Sequence, residues 1–286
     1  MHIVVCIKQV PDSAQIRVHP VTNTIMRQGV PTIINPYDLF ALEEALRLRD
    51  KFGGVVTVLT MGPPTASESL RKTLTFGADR AVLLTDRYFA GSDTLATSFA
   101  LASALDKIAA EYGKPEIIFT GKQTIDGDTA QVGPGIAKRL RYNQLTYVAR
   151  IADLDLDAGS ITVERRAEGG IQVLRTALPV LVTMLEATNE MRRGSIDNAL
   201  IAARAEVITW NAASCGIEDL AKCGLRGSPT IVKKIFTPTP RAEKAHLVSA
   251  EGTPDANADA LLAEIFRRAP GVEADLYDFA AQSQGN

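Results

Sequence analysis

With 286 residues, 46% of them hydrophobic, the chain is long enough for one large α/β domain with added segments, or for two small domains. Its 31 lysines and arginines against 33 aspartates and glutamates leave a formal charge of -2, which excludes the basic footprint that nucleic acid or an anionic membrane selects. The three cysteines, Cys6, Cys215 and Cys223, form no C-x-x-C pair for zinc, haem or dithiol chemistry, so no metal site is expected and a reducing cytosol fits.

Met1 leads directly into the apolar run at Ile3, Val4 and Val5, with no charged n-region or small-residue cleavage site, which argues against a signal peptide. The longest strongly apolar stretch, Leu178 to Leu185, falls far below the ~20 residues that span a bilayer. The expectation is a soluble, cytoplasmic protein.

Along the chain, short β-type runs alternate with helical patterns, the arrangement of a parallel sheet with helices on both faces. Ile3 to Ile7 reads as the first strand. Ile16 to Arg27, with apolar Ile16 and Val18 before His19-Pro20-Val21-Thr22-Asn23-Thr24, predicts an inserted hairpin. Tyr37 to Phe52 places Leu39, Leu42 and Leu46 at helical spacing, and Thr94 to Tyr112 is rich in Ala and Leu; both predict helices. Between and after them, Val55 to Thr60, Ala81 to Leu84 and Glu116 to Thr120 predict buried strands. Ile161 to Arg166 and Ile171 to Arg175 flank Glu168-Gly169-Gly170, a second hairpin, and Leu178 to Leu185 returns as a core strand. From Trp210 the pattern weakens into a Gly-, Ser- and Pro-bearing stretch (Cys223 to Pro229), a Pro-rich one (Thr237 to Arg241) and an Ala-rich helix near Asn257 to Arg268. The division this predicts is an α/β domain over 1–209 and, over 210–286, an arm that packs on a partner.

An open parallel sheet takes ligands beyond the carboxyl ends of its strands, so the segments that follow strands are the candidate site. These are Lys8-Gln9-Val10-Pro11-Asp12, the Asn35-Pro36-Tyr37-Asp38 turn, Met61-Gly62-Pro63, and Gly121 to Val132. The last holds two glycines around polar residues and leads into a helix whose free amides can hold a phosphate. Gly127 permits a backbone conformation that a bulkier residue would resist. Asp128 with Gln131 also reads as an ordinary capping box, and the two readings are compatible. Pro134 sits awkwardly in a helix starting at Asp128, so that helix kinks or begins later. Asn35-Pro36 is equally an ordinary helix start. Met61 also reads as core, and Cys6 as a buried small hydrophobe. His2, His19 and His246 are scattered and suggest no triad. Neither G-x-x-x-x-G-K-[ST] nor G-x-G-x-x-G occurs, which removes the common NTPase and dinucleotide-dehydrogenase readings. A stand-alone ATP-binding or adenylating protein would need a Ser-Gly-Gly-rich loop after the first strand, where this chain has Lys8 to Asp12.

Val163-Glu164-Arg165, Glu168-Gly169-Gly170, Gln172, Leu174, Pro179 and Leu181-Val182-Thr183 follow the diagnostic pattern of electron-transferring flavoprotein β subunits. Gly121-Lys122-Gln123-Thr124-Ile125-Asp126, Asn35 to Asp38 and Ala78-Asp79 agree, so the chain resembles that family over roughly Met1 to Ala203. The resemblance implies a flavodoxin-like, adenine-nucleotide-binding α/β fold and an α subunit that completes a heterodimer. Carried over by position, the nucleotide contacts are Cys6, Asn35, Pro36, Tyr37, Asp38, Met61, Gly121, Lys122, Gln123, Thr124, Ile125, Asp126, Gly127, Asp128, Thr129, Ala130, Gln131 and Val132. No catalytic side chain is implied; redox chemistry comes from a bound flavin.

Members of the family hold either AMP or a second FAD in this site. Asp126-Gly127-Asp128-Thr129-Ala130-Gln131-Val132-Gly133-Pro134 resembles the FAD-holding, electron-bifurcating members, and the whole chain the nitrogen-fixation-associated Fix type. That resemblance implies NADH as electron donor, with ferredoxin or flavodoxin and a membrane-associated quinone-oxidoreductase-type partner as acceptors. Ile196 stands where family members present a hydrophobic anchor for a partner, although Met191 and Arg193 depart from the usual residues of that loop.

Overall fold

The computed structural model describes residues 1–12, 31–233, 248 and 253–283. The chain begins with β1 (His2–Cys6), whose five residues are all buried, as a strand covered on both faces must be. Its side chains alternate between two cores: Ile3 and Val5 join one face of the sheet, Val4 and Cys6 the other. A short antiparallel pair, β2 (Gln9–Pro11) and β3 (Thr32–Ile34), follows. The hairpin expected over Ile16 to Arg27 lies outside the described residues, between these two strands.

Among the described residues the central sheet has nine strands, in the order β11 (Ile208–Trp210), β5 (Arg80–Leu84), β4 (Val55–Met61), β1, β6 (Ile117–Gly121), β10 (Val180–Met184), β7 (Asn143–Asp155), β8 (Ser160–Ala167) and β9 (Gly170–Ala177). From β1 the chain passes through α1 (Pro36–Phe52) to β4 (Val55–Met61), then through α2 (Ser67–Thr75) to β5 (Arg80–Leu84). It then crosses back along α3 (Thr94–Tyr112) to β6 (Ile117–Gly121), which pairs with β1 on the opposite side from β4. Asp93 caps α3 by accepting the amides of Leu95 and Ala96. α1 and α2 cover one face with Leu42, Leu46 and Leu70; α3 and α4 (Val132–Leu140) cover the other with Leu101, Leu105, Ile108 and Ile136. The expected α/β fold, a largely parallel sheet with helices on both faces and an added hairpin, is present.

β7 (Asn143–Asp155), unforeseen in the sequence, pairs parallel to β10 (Val180–Met184) at its start and antiparallel to β8 (Ser160–Ala167) at its end, with register shifts in both pairings. Those shifts break the period-2 pattern that would have betrayed it. The expected second hairpin is β8 with β9 (Gly170–Ala177), and β9 ends the sheet with Ile171 and Val173 more than half exposed. α5 (Ile196–Arg204) and the edge strand β11 (Ile208–Trp210) complete this part.

The chain divides into compact units Met1–Phe236 and Thr237–Asn286, not at the expected 209/210. The reason is packing: Trp210, Cys215, Ile217 and Cys223 are all buried in the core on the α3 side. The second unit contains α6 (Pro254–Arg268), which Thr253 caps, and α7 (Pro270–Ser283). Among the described residues no helix is long and apolar enough to cross a membrane.

Candidate functional site

β1 and β6 are adjacent parallel strands from which the chain leaves towards opposite faces of the sheet. Their carboxyl ends therefore open the crevice where such sheets take ligands. The first turn of α1 closes its floor. Asp38, 4% exposed, accepts the Lys8 amide at 2.7 Å on one carboxylate oxygen and the Gly121 amide at 3.1 Å on the other. One carboxylate thus ties the end of β1 to the end of β6. Burial pushes its pKa up to about 7, against the Asn35 side chain and the two amides, which pull it down.

Asn35, fully buried, occupies the N-cap position of α1 but does not cap it. Its side-chain amide donates to the Gln123 carbonyl at 2.9 Å and its oxygen accepts the Ile125 amide at 3.1 Å. The two residues read as ligand contacts or a plain helix start are a brace: Asp38 holds the strand ends and Asn35 the loop beyond β6. Gly121 is required by that closeness, since a Cβ there would fall 2.5 Å from Tyr37 Cβ and 2.6 Å from Asp38 Oδ1. Pro36 is exposed at the first helical position, and Tyr37 is half-buried beneath the Lys122 ammonium, 4.9 Å from its ring centroid.

Two lysines stand at the crevice, one after each strand. Lys8 Nζ lies 2.9 and 2.7 Å from the two oxygens of Asp126. Burial pushes the Asp126 carboxyl up, but the Lys8 ammonium, the Thr124 hydroxyl and the residue's own amide together outweigh it and hold the pKa below the usual range. Lys122 pairs with Glu186 at 3.1 Å, and Arg166 reaches the same carboxylate at 3.0 Å. Glu186 is held down to about 2, first by its own backbone amide and then by these two cations. Lys8 lies in one of the candidate segments but not among the contacts carried over by position, and Glu186 lies in neither. Lys8 had the stronger signal, because it directly follows the first strand.

The loop over 121–131 turns at Thr124, whose carbonyl accepts the amides of Gly127 and Asp128 at 3.4 and 2.9 Å. Gly127 does not adopt the left-handed conformation expected of it, and a Cβ there would meet nothing closer than Thr124 Oγ1 at 3.5 Å. That conformation falls instead on Asp128 (φ 50°) and Ala130 (φ 54°). Nor does the capping box form: Asp128 Oδ1 accepts from Gln123 Nε2 at 2.8 Å, Gln131 Oε1 accepts from Thr94 Oγ1 at 2.8 Å, and α4 begins only at Val132. The later start places Pro134 in the first turn, where its missing N–H costs nothing.

Left-handed Ala130 followed by right-handed Gln131 (φ -100°, ψ -23°) is the alternation that turns successive amides into one concavity. The amides of Thr129, Ala130, Gln131 and Val132 donate to no acceptor among the described residues. They adjoin the positive end of α4, and this donor set suits a phosphate. Beneath the crevice Cys6 is 7% exposed in the α3-side core, and Met61 packs against the same core. Burial, with the Asp38 charge adding to it, pushes the Cys6 thiol up to about 12. Cys6 thus sits in the crevice floor as a protonated small hydrophobe.

Ile196 is far from this crevice in sequence and is the first residue of α5, which Ser195 caps by accepting the Asn198 amide at 3.0 Å. It is 81% exposed, with Leu200 and Ile201 of the same helix also more than half exposed. The preceding loop is pinned to α1: Arg192 Nε lies 2.9 Å from Glu43 Oε2 and its Nη1 2.7 Å from Asp50 Oδ2.

The Electron transfer flavoprotein domain matches residues 22–214. The chain is 74% identical to Protein FixA of Azorhizobium caulinodans over 276 residues, 96% of this chain and 98% of that one. It is 62% identical to Protein FixA of Azotobacter vinelandii over 277 residues, 96% and 98% of the two chains. To the Electron transfer flavoprotein subunit beta of Clostridium acetobutylicum it is 48% identical over 237 residues, covering 83% and 88%. The chain therefore belongs to the electron transfer flavoprotein family, among the homologues of its β subunits.

Proposed function

We propose that this chain is the β subunit of a heterodimeric, electron-bifurcating flavoprotein of the Fix type, with an adenine cofactor in the crevice between β1 and β6. The observation that carries this reading is the row of amides from Thr129 to Val132, which meet no acceptor among the described residues, at the switch point of the sheet. They receive the phosphates of the cofactor, while Asn35 and Asp38 hold the loop and strand ends that shape its seat. FAD is the cofactor favoured, because the loop resembles that of FAD-holding members; AMP is the alternative occupant. A flavin held there supplies the one- and two-electron chemistry, and the chain itself binds, orients and shields it.

NADH is the proposed electron donor, ferredoxin or flavodoxin the low-potential acceptor, and a quinone-linked membrane-associated oxidoreductase the high-potential one, in support of nitrogen fixation. The α subunit is the permanent partner. The second unit serves as the arm that packs on it, burying the exposed Leu261, Leu262 and Leu276. Ile196, with Leu200 and Ile201, is the proposed anchor for an oxidoreductase partner.

The test is co-purification with an α subunit, followed by a count of the nucleotides released on denaturation. Two FAD per heterodimer is the expected result. One FAD with one AMP reduces the chain to a simple carrier subunit, and ATP bound without any partner overturns the assignment.

A further inference from the structure

The geometry points to Lys8 as the cation that takes the cofactor phosphate, with Asp126 as an internal stand-in that holds its ammonium until the phosphate arrives. This inference rests on the crevice being the nucleotide site and adds a residue to it.

Four backbone amides supply donors for a phosphate but no net charge, and a nearby cation balances it. Among the described residues two lysines stand at the crevice. Lys122 is committed elsewhere: Glu186 holds its ammonium at 3.1 Å, and the Tyr37 ring lies 4.9 Å beneath it. Lys8 is not so enclosed. Its side chain is 46% exposed, and it spans from the end of β1 to the loop beyond β6, where Asp126 meets it with both carboxylate oxygens. Its backbone is fixed from below by Asp38, so the ammonium swings about a stationary point. A half-exposed carboxylate–ammonium pair is weak in water. The AMP monoester, with more charge than a carboxylate and three terminal oxygens, and the FAD diphosphate, with two charges over four terminal oxygens, each displace the carboxylate at little cost. Asp126 lies three residues before Thr129, the first of the four amides, so the pair and the amides belong to the same loop.

The experiment uses the complex of the full chain with its α subunit, stripped of nucleotide and titrated calorimetrically with AMP and separately with FAD, which share the 5′ phosphate. K8Q is expected to weaken binding about tenfold, the loss of one charged hydrogen bond, and K8R to restore most of it. D126N is expected to tighten binding about threefold, because the lysine is then free. That gain vanishes in K8Q/D126N, since it acts through Lys8. A K8Q complex that binds as tightly as wild type overturns the inference. So does weaker binding by D126N, which marks the pair as a structural strut, or a D126N gain that survives in the double variant, which marks it as general repulsion. A wild-type complex that binds neither AMP nor FAD overturns the nucleotide-site reading itself.

Discussion

Asp38 and Gly121 determine each other: the carboxylate accepts the glycine amide at 3.1 Å, and it can do so because a Cβ at position 121 would lie 2.6 Å from the same oxygen. The contact joins the first turn of α1 to the end of β6, 83 residues apart. Gly121→Ala is expected to force α1 outward and cost about 1–3 kcal/mol, as overpacking of a tight contact does. Urea unfolding of the complex measures it, and a change below about 0.5 kcal/mol would mean that α1 yields freely.

The raised pKa of Asp38 carries a sign that can be checked. The folded chain keeps its proton up to about pH 7, whereas the unfolded chain releases it near the ordinary aspartate value of 3.8. The folded state binds more protons in that window, so this group makes stability fall as pH rises from about 4 to 7. Asp38→Asn removes the titration. The wild-type minus D38N difference in unfolding free energy should therefore drift against wild type between pH 5 and 7.5; a flat difference means that Asp38 titrates normally.

Removing the Asn35 side chain strands the Ile125 amide and the Gln123 carbonyl inside the crevice wall. Asn35→Ala should cost about 1–3 kcal/mol for the groups left without partners. Faster amide exchange at Ile125, read by hydrogen-exchange mass spectrometry, would place the loss at the loop; unchanged protection there would refute the brace.

The loop beyond β6 gives a paired prediction about backbone strain. Gly127→Ala should be neutral within about 0.5 kcal/mol, because its conformation is ordinary and the new methyl group meets only Thr124 Oγ1 at 3.5 Å. Ala130→Gly should stabilise by up to about 1 kcal/mol, because the left-handed conformation at φ 54° costs alanine and not glycine. Urea midpoints of the two variants decide it, and the reverse order would place the strain at 127.

Ile196→Asp should leave stability within about 0.5 kcal/mol of wild type, since the side chain is 81% exposed. If this residue anchors the oxidoreductase partner, its loss should weaken that association about thirtyfold, the scale of an interface hot spot. Surface plasmon resonance against the partner separates the two effects, and equal affinity for both proteins would free Ile196 of the role.

The strands most legible in the sequence were those buried on both faces. β1, β4, β6 and β10 read as short apolar runs, and α1 and α3 as helical spacing of leucine and alanine. β7 was hidden because it changes partner midway, with Leu145, Val148 and Leu154 buried while its other positions face outward or sideways. At the site, the positions of Asn35 and Asp38 were legible but their work was not. The partners of Asp38 lie 30 and 83 residues away and those of Asn35 88 and 90, and only the folded sheet brings them together. The loop misled for a different reason: glycine advertises conformational freedom, yet the chain spends that conformation on Asp128 and Ala130.

The last strand of the sheet has a consequence for the life of the chain before assembly. β9 presents Ile171 and Val173 to solvent at 60% and 65% exposure, and among the described residues only one of its long sides is paired. Such a border is a template for any extended segment that meets it, including the same strand of a sister molecule. Polypeptide present in excess is therefore exposed to association with its own copies, strand border to strand border.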